Sequence, residues 1–301
     1  MQNPIQKINI EFPKGVSLFI KRDDLLHPVI SGNKFRKLKY NLQEAKQLGY
    51  SKLLTFGGAF SNHIVAVAGA GNEFGFETIG IIRGEELATK IDENPSLQLA
   101  QSLGMKLHFV SRSEFQNKES AVFLSHFETQ FGSFYLLPEG GTNTLAIQGC
   151  KEIIGEEEKA FTHICCAVGT GGTISGIIEG AYEHQKIIGF SALKGDFLYD
   201  VIRKFVTKTN WELETNYHFG GYGKVSDALI SFLNDFYEQT QIPLDPIYTG
   251  KMVFGVLEKI KNNEFPSNAK ILLIHSGGLQ GIKGMNQKLK RKNKSIIIYH
   301  D

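Results

Sequence analysis

The sequence predicts an α/β protein built on largely parallel sheets, and three observations carry that prediction. Short apolar runs of strand length alternate with longer segments of helical spacing. Glycine-rich turns directly follow three of those runs, at Gly57-Gly58, Gly169 to Gly172 and Gly277-Gly278. The chain has 301 residues, 42% hydrophobic and 21% charged, enough apolar mass for one large core or two smaller ones.

In chain order, Leu53-Leu54-Thr55-Phe56 predicts a buried strand, and Ala, Val and Gly at helical spacing over 61–74 predict the helix after it. A strand is expected at 78–82, a helix around 95–103 and a strand at 106–110. Further on, 162–168 reads as a strand, 173–182 as a helix and 271–274 as another buried strand. In open parallel sheets, ligands bind outside the carboxyl ends of the strands. Three glycine turns in that position predict one shared cleft.

The formal charge of +2 argues against a broad nucleic-acid footprint. The dense basic segment Lys288, Lys290, Arg291, Lys292 and Lys294 reads as a solvated stretch before a final strand. Cys150, Cys165 and Cys166 make neither a disulfide framework nor a zinc site, and no metal is expected. Cys165 and Cys166, inside an apolar run, read as small buried hydrophobes. The first ten residues carry charge and no apolar h-region, and no stretch has the ~18 to 20 apolar residues that span a bilayer. A cytoplasmic protein is expected.

Four constellations could carry chemistry. Gly169-Thr170-Gly171-Gly172-Thr173 runs from a strand into a helix, where backbone N–H groups and two hydroxyls could cradle a phosphate; a structural turn is the alternative. Ile174 stands where a dinucleotide fingerprint needs glycine, and no Lys-Ser/Thr follows as a Walker A loop requires. Lys34 and Lys37 share a helix face, so Lys37 could lower the pKa of Lys34 and bind an anion, or both could be solvated. Ser61-Asn62-His63 follows Gly57-Gly58 and could cap a helix or bind a carboxylate. Near the C-terminus, Tyr222 and Tyr248 lie in glycine-flanked turns, and Ser276 closes a strand beside Gly277-Gly278.

Taken in order with Lys21-Arg22-Asp23-Asp24 and the 245–251 segment Asp-Pro-Ile-Tyr-Thr-Gly-Lys, these segments resemble the family of D-cysteine desulfhydrases and aminocyclopropane-carboxylate deaminases. The resemblance covers most of the chain. It implies the tryptophan-synthase-β-like pyridoxal-phosphate fold, with two open twisted parallel-sheet domains. It also implies pyridoxal 5'-phosphate as cofactor, held by Lys34 as a Schiff base, with Lys37 and the Gly169, Thr170, Gly171, Gly172, Thr173 loop on its phosphate. By the same resemblance Asn62 lies near the pyridine hydroxyl and Ser276 bonds the ring nitrogen. Ser61, Asn62, His63 and Thr249 meet the substrate, and Tyr222 and Tyr248 are the active-site tyrosines.

Family members that open the cyclopropane ring carry an acidic residue where this chain has Thr249, and an apolar one in place of Ser276. Both positions resemble the desulfhydrase branch. The chain departs from the family pattern at Phe60, Ile64 and Val65, which predicts a bulkier, more apolar pocket wall. The expected large domain comprises 1–44 and 143–301, with a small domain of 45–142 inserted, and a homodimer is implied. The expected reaction is α,β-elimination from D-cysteine or a related small amino acid to pyruvate, ammonia and sulfide, with Lys34 or Tyr248 as base. Cyclopropane-carboxylate deamination is the alternative within the family. A cofactor-binding protein without catalysis, or a nucleotide-binding module, are the alternatives outside it.

Overall fold

The computed structural model describes residues 4–299. The chain opens with β1 (Ile5–Lys7), β2 (Ser17–Lys21) and helix α1 (Asn33–Gln47). It then alternates through β3 (Lys52–Gly58), α2 (Asn62–Phe74), β4 (Glu77–Arg83), α3 (Pro95–Ser102), β5 (Lys106–Val110), α4 (Arg112–Gln116), α5 (Ala121–Phe131) and β6 (Tyr135–Leu137). Next come α6 (Thr144–Lys151), β7 (His163–Val168), α7 (Gly172–Gly180), β8 (Lys186–Ser191), α8 (Leu198–Arg203) and β9 (Trp211–Glu214). The last elements are α9 (Asp227–Thr240), α10 (Thr249–Lys261), β10 (Lys270–Ile274) and α11 (Gly281–Lys290).

Two sheets organise these elements. The larger has the order β1-β2-β10-β7-β8-β9, and the smaller β5-β4-β3-β6. Among the described residues only the β1–β2 pair is antiparallel. Helices cover both faces of a parallel sheet, so its central strands must be apolar on both sides. β7 illustrates this: all six of its residues are buried. Successive side chains point to opposite faces, so Cys165 packs in the cluster with Ile188 and Leu273, while Cys166 packs with Ile187 and Leu272. The expected strands and helices are therefore present, with β5 matching 106–110 and β10 starting one residue early.

One expectation fails. The segment after the basic stretch forms no strand; α11 ends at Lys290, and 294–299 runs outside both sheets. Its backbone groups are satisfied by side-chain amides instead. Asn286 donates to the Ile297 carbonyl and accepts from its N–H, while Asn234 bonds the Ile296 carbonyl and the Ile298 N–H. No helix among the described residues is long and apolar enough to cross a membrane.

The charges of Lys21-Arg22-Asp23-Asp24 are structural. Lys21, at the end of β2, gives its ammonium to Glu158 at 2.6 Å and to the Ile153 carbonyl at 2.8 Å. Asp23 receives Arg36 Nε at 2.7 Å, tying α1 to the strand end, and Arg22 folds back onto Asp24 at 2.7 Å. Glu158→Ala leaves the Lys21 ammonium buried and unpaired, which costs about 3–5 kcal/mol. Urea unfolding of that variant checks this. The Lys21→Met/Glu158→Leu pair should restore most of the loss, because it removes both charges together.

Candidate active site

A cavity of about 370 Å³ lies where the carboxyl ends of β3, β7 and β10 meet the start of α1. Gly58, the Gly169 to Thr173 loop and Gly277 all line it, so the three glycine turns do converge. α1 is held against the third turn by close backbone approach. A Cβ on Gly32, whose φ is +63°, would lie 2.0 Å from the Ser276 carbonyl oxygen, and Asn33 N–H donates to that oxygen at 3.2 Å. This contact aims the first turn of α1, with Lys34 and Lys37, into the cavity.

Both lysines converge on one acceptor. Lys34 Nζ donates to the Gly140 carbonyl at 3.1 Å and Lys37 Nζ to the same oxygen at 3.0 Å. Lys37 also reaches Thr142 Oγ1 at 3.0 Å. Burial, followed by the neighbouring Lys37 charge, lowers the Lys34 pKa well below the usual lysine value. Burial lowers that of Lys37 to about 8. Beside them, His63 is almost wholly buried, and neither ring nitrogen makes a hydrogen bond of good geometry. Burial and the two lysine charges hold its pKa well below the usual imidazole value, so it is neutral.

The Gly169 to Thr173 loop leaves β7 and enters α7 with Gly171 at φ +82°. Its hydroxyls are already oriented: Thr170 Oγ1 lies 2.6 Å from Thr142 Oγ1, and Thr173 Oγ1 accepts from Asn33 Nδ2 at 2.8 Å. A Cβ on Gly172 would lie 3.0 Å from Lys37 Nζ, filling space beside the ammonium. Uncommitted N–H groups at a helix start, three threonine hydroxyls and a buried ammonium form a donor set suited to a phosphate dianion. Opposite, Ser61 caps α2 by accepting from the His63 and Ile64 N–H groups at 3.2 and 3.4 Å. Asn62 Oδ1 accepts from Gln280 Nε2 at 3.2 Å, which turns the amide N–H groups of Asn62 toward other partners.

Tyr222 and Tyr248 stand together, ring centroids 6.1 Å apart. Burial raises both pKa values, that of Tyr248 well above the usual phenol value, so both hydroxyls keep their protons at neutral pH. Asp245 carries Tyr248: its carboxylate accepts from the N–H groups of Ile247, Tyr248 and Thr249 at 2.9, 2.8 and 2.7 Å. Lys251, in the first turn of α10 and 1% exposed, donates to the carbonyls of His218 and Gly221 at 2.8 and 2.9 Å. Those carbonyls belong to the loop that presents Tyr222.

Three expectations about the walls change. Thr249 is fully buried and off the cavity surface; its hydroxyl stands 3.4 Å behind that of Ser276, which does line the cavity. Phe60, half-exposed, packs toward Gly284, and Ile64 and Val65, both on α2, are buried. The departures at those positions therefore do not alter the cavity wall. The sequence marks Asn33 only as part of the Lys34 motif and assigns no role to it, nor to Arg83, Glu139, Gly140 and Thr142. A signal for the last three was available: Gly140-Gly141 follows the 135–137 strand as the other glycine pairs follow theirs.

A sequence profile of pyridoxal-phosphate dependent enzymes matches residues 2–277. A Thermotoga maritima protein with the provisional name 1-aminocyclopropane-1-carboxylate deaminase is 30% identical, over 91% of this chain and 93% of its own. An Arabidopsis thaliana mitochondrial protein, named as a bifunctional D-cysteine desulfhydrase and 1-aminocyclopropane-1-carboxylate deaminase, is also 30% identical, over 94% of this chain and 77% of its own. The crystal structure of an ACC deaminase homologue superposes with a TM-score of 0.80 at 27% identity, over 93% of this chain and 90% of that one.

Proposed function

The chain belongs to the family of pyridoxal-phosphate dependent enzymes, as a lyase of the group that holds the aminocyclopropane-carboxylate deaminases and D-cysteine desulfhydrases, and within it we propose α,β-elimination from D-cysteine. The observation that carries the choice is the hydroxyl pair at the end of β10. Ser276 is backed by Thr249, and the only acid lining the cavity among the described residues is Glu139, paired with Lys118 at 3.3 Å. A carboxylate against the ring nitrogen would keep a pyridine protonated and deepen it as an electron sink. Elimination of a thiolate, a good leaving group, does without that help. A hydroxyl suffices.

The residues fit the cofactor. Lys37, Thr170, Thr173 and the loop N–H groups would hold its phosphate, Asn62 its ring hydroxyl and Ser276 its ring nitrogen, with Lys34 on its aldehyde carbon. When bound, it supplies an electron sink for the bond breaking at the substrate's α-carbon. Ser61, Asn62 and His63, at the start of α2, receive the substrate carboxylate. Lys34, whose low pKa leaves a larger share of neutral amine, takes the α-proton. Tyr248, whose phenol stays protonated at neutral pH, is not available as the base and gives a hydrogen bond to the departing sulfur. Tyr222 stands over the mouth. With one water, D-cysteine yields pyruvate, ammonia and hydrogen sulfide.

Side-by-side assays of D-cysteine and 1-aminocyclopropane-1-carboxylate test the choice. Pyruvate and sulfide from the first support it; 2-oxobutanoate from the second, with D-cysteine inert, overturns it in favour of ring opening, which the names of the relatives favour. A second expectation concerns pH. Lys37 binds phosphate as an ammonium, and its folded-state pKa is depressed from 10.5 to about 8. Affinity for pyridoxine 5'-phosphate, which lacks the aldehyde, should therefore fall as pH rises through about 8. Lys37→Arg should flatten that fall, since guanidinium keeps its charge. Fluorescence titration at several pH values reads both.

A further inference from the structure

Arg83 ends β4 beside Gly58, its partner in the sheet, and lines the cavity. Its guanidinium lies over the Phe115 ring at 5.6 Å, and a Cβ on Gly58 would stand 3.6 Å from its Nη2. Among the described residues it has no hydrogen bond and no ion pair, although its neighbours are paired: Arg112 with Glu86, Lys118 with Glu139. Phe115 is 3% exposed and holds a second cation, the Lys118 ammonium, at 5.2 Å on the same ring. Two cations thus share one ring with a single carboxylate between them. Contact with the ring face leaves the guanidinium donors uncommitted.

This place is also a junction. Arg83 and Glu139 line both the cavity and a second pocket, completed by Arg112, Phe115, Gln116 and Lys118. Arg83 is near enough to Tyr222 for its charge to favour the phenolate there. A group extending from a substrate past Tyr222 toward the second pocket meets an unneutralised, planar cation. Such a fork matches a carboxylate, sulfonate or phosphate bidentately.

We propose that Arg83, with Lys118 beside it, is a subsite for a second anionic group, carried on the side chain of the amino acid this cavity accepts. The proposal rests on the reading of the cavity as a cofactor-dependent amino-acid site, and it extends the substrate class to amino acids with an acidic side chain. The α-carboxylate has its own partners at the start of α2, so Arg83 discriminates among side chains.

Binding to the holoenzyme tests it independently of turnover. Both enantiomers of aspartate and of alanine are titrated against the cofactor absorption band, in the wild type and in Arg83→Gln, with D-cysteine turnover measured alongside. Aspartate should bind the wild type at least about tenfold tighter than alanine. Arg83→Gln should remove that preference and change alanine affinity less than about threefold. Equal affinities in the wild type overturn the subsite. A loss for alanine as large as for aspartate also overturns it, since Arg83 would then hold the α-carboxylate. Inorganic phosphate competing equally with both amino acids would mark a site for a free anion and sink the proposal too. Failure of the lyase reading looks different: no pyruvate from D-cysteine, with the aspartate preference intact.

Discussion

Lys34→Ala protein should lose the absorption of lysine-bound cofactor and at least about three orders of magnitude in pyruvate formation from D-cysteine. One amine serves both purposes in the proposed scheme: it holds the aldehyde carbon between turnovers and moves the α-proton during them. Its environment suits each task. Burial and the Lys37 ammonium lower its pKa, and the Gly140 carbonyl fixes its direction without neutralising it. Lys34→Arg should fail as badly, because a guanidinium stays protonated and forms no Schiff base. The fold should tolerate both changes, since Lys34 makes no ion pair among the described residues. Near-UV absorption and urea midpoints read the two effects apart. A Lys34→Ala protein that keeps both the chromophore and turnover would sink the assignment.

Asp245→Ala is expected to be the most damaging single change outside the cavity lining. Its carboxylate is wholly buried and accepts from three consecutive backbone N–H groups at the entry to α10. Removing it strands those three donors in the interior, at a cost of about 3–6 kcal/mol if one to two remains per group. Asp245→Asn keeps the oxygen that serves Ile247 and Tyr248 but sets an amide N–H against that of Thr249, so about half the loss should remain. Activity should fall further than stability, because the Tyr248 backbone is positioned by this carboxylate. Thermal unfolding, with kcat measured well below the transition, separates the two effects. A stable Asp245→Ala protein with normal kcat would show that Pro246 and the α10 packing suffice to place the tyrosine.

What was legible in the sequence follows from what is local. The apolar runs at 53–56 and 271–274 are strands because both sheet faces are covered, and burial on both sides writes itself into consecutive residues. The edge strand β9, Trp-Glu-Leu-Glu, is polar at alternate positions and only partly buried, so it gave no such run. Ser295 to Ile298 gave the run without the strand. Its partners are Asn234 and Asn286, amides from two helices that no local pattern announces. The cleft was legible because glycine turns mark strand ends. Its walls were less so: Thr249 sits behind Ser276, and Ile64 faces the core, because the side a residue presents depends on helix phase and packing. The pairing of Lys34 with Lys37 was readable from their spacing of three, whereas their shared acceptor at Gly140, over a hundred residues away, was not.

The grip of Lys251 on the 218–221 loop has a consequence for how this protein can change. The loop that sets Tyr222 over the mouth is fastened by a lysine 30 residues downstream of Gly221, on the helix that Tyr248 begins. Transplanting a relative's loop to alter substrate range would therefore import a lid without its hinge pin. The heritable unit is the loop together with residue 251, and the two tyrosines travel as one cassette.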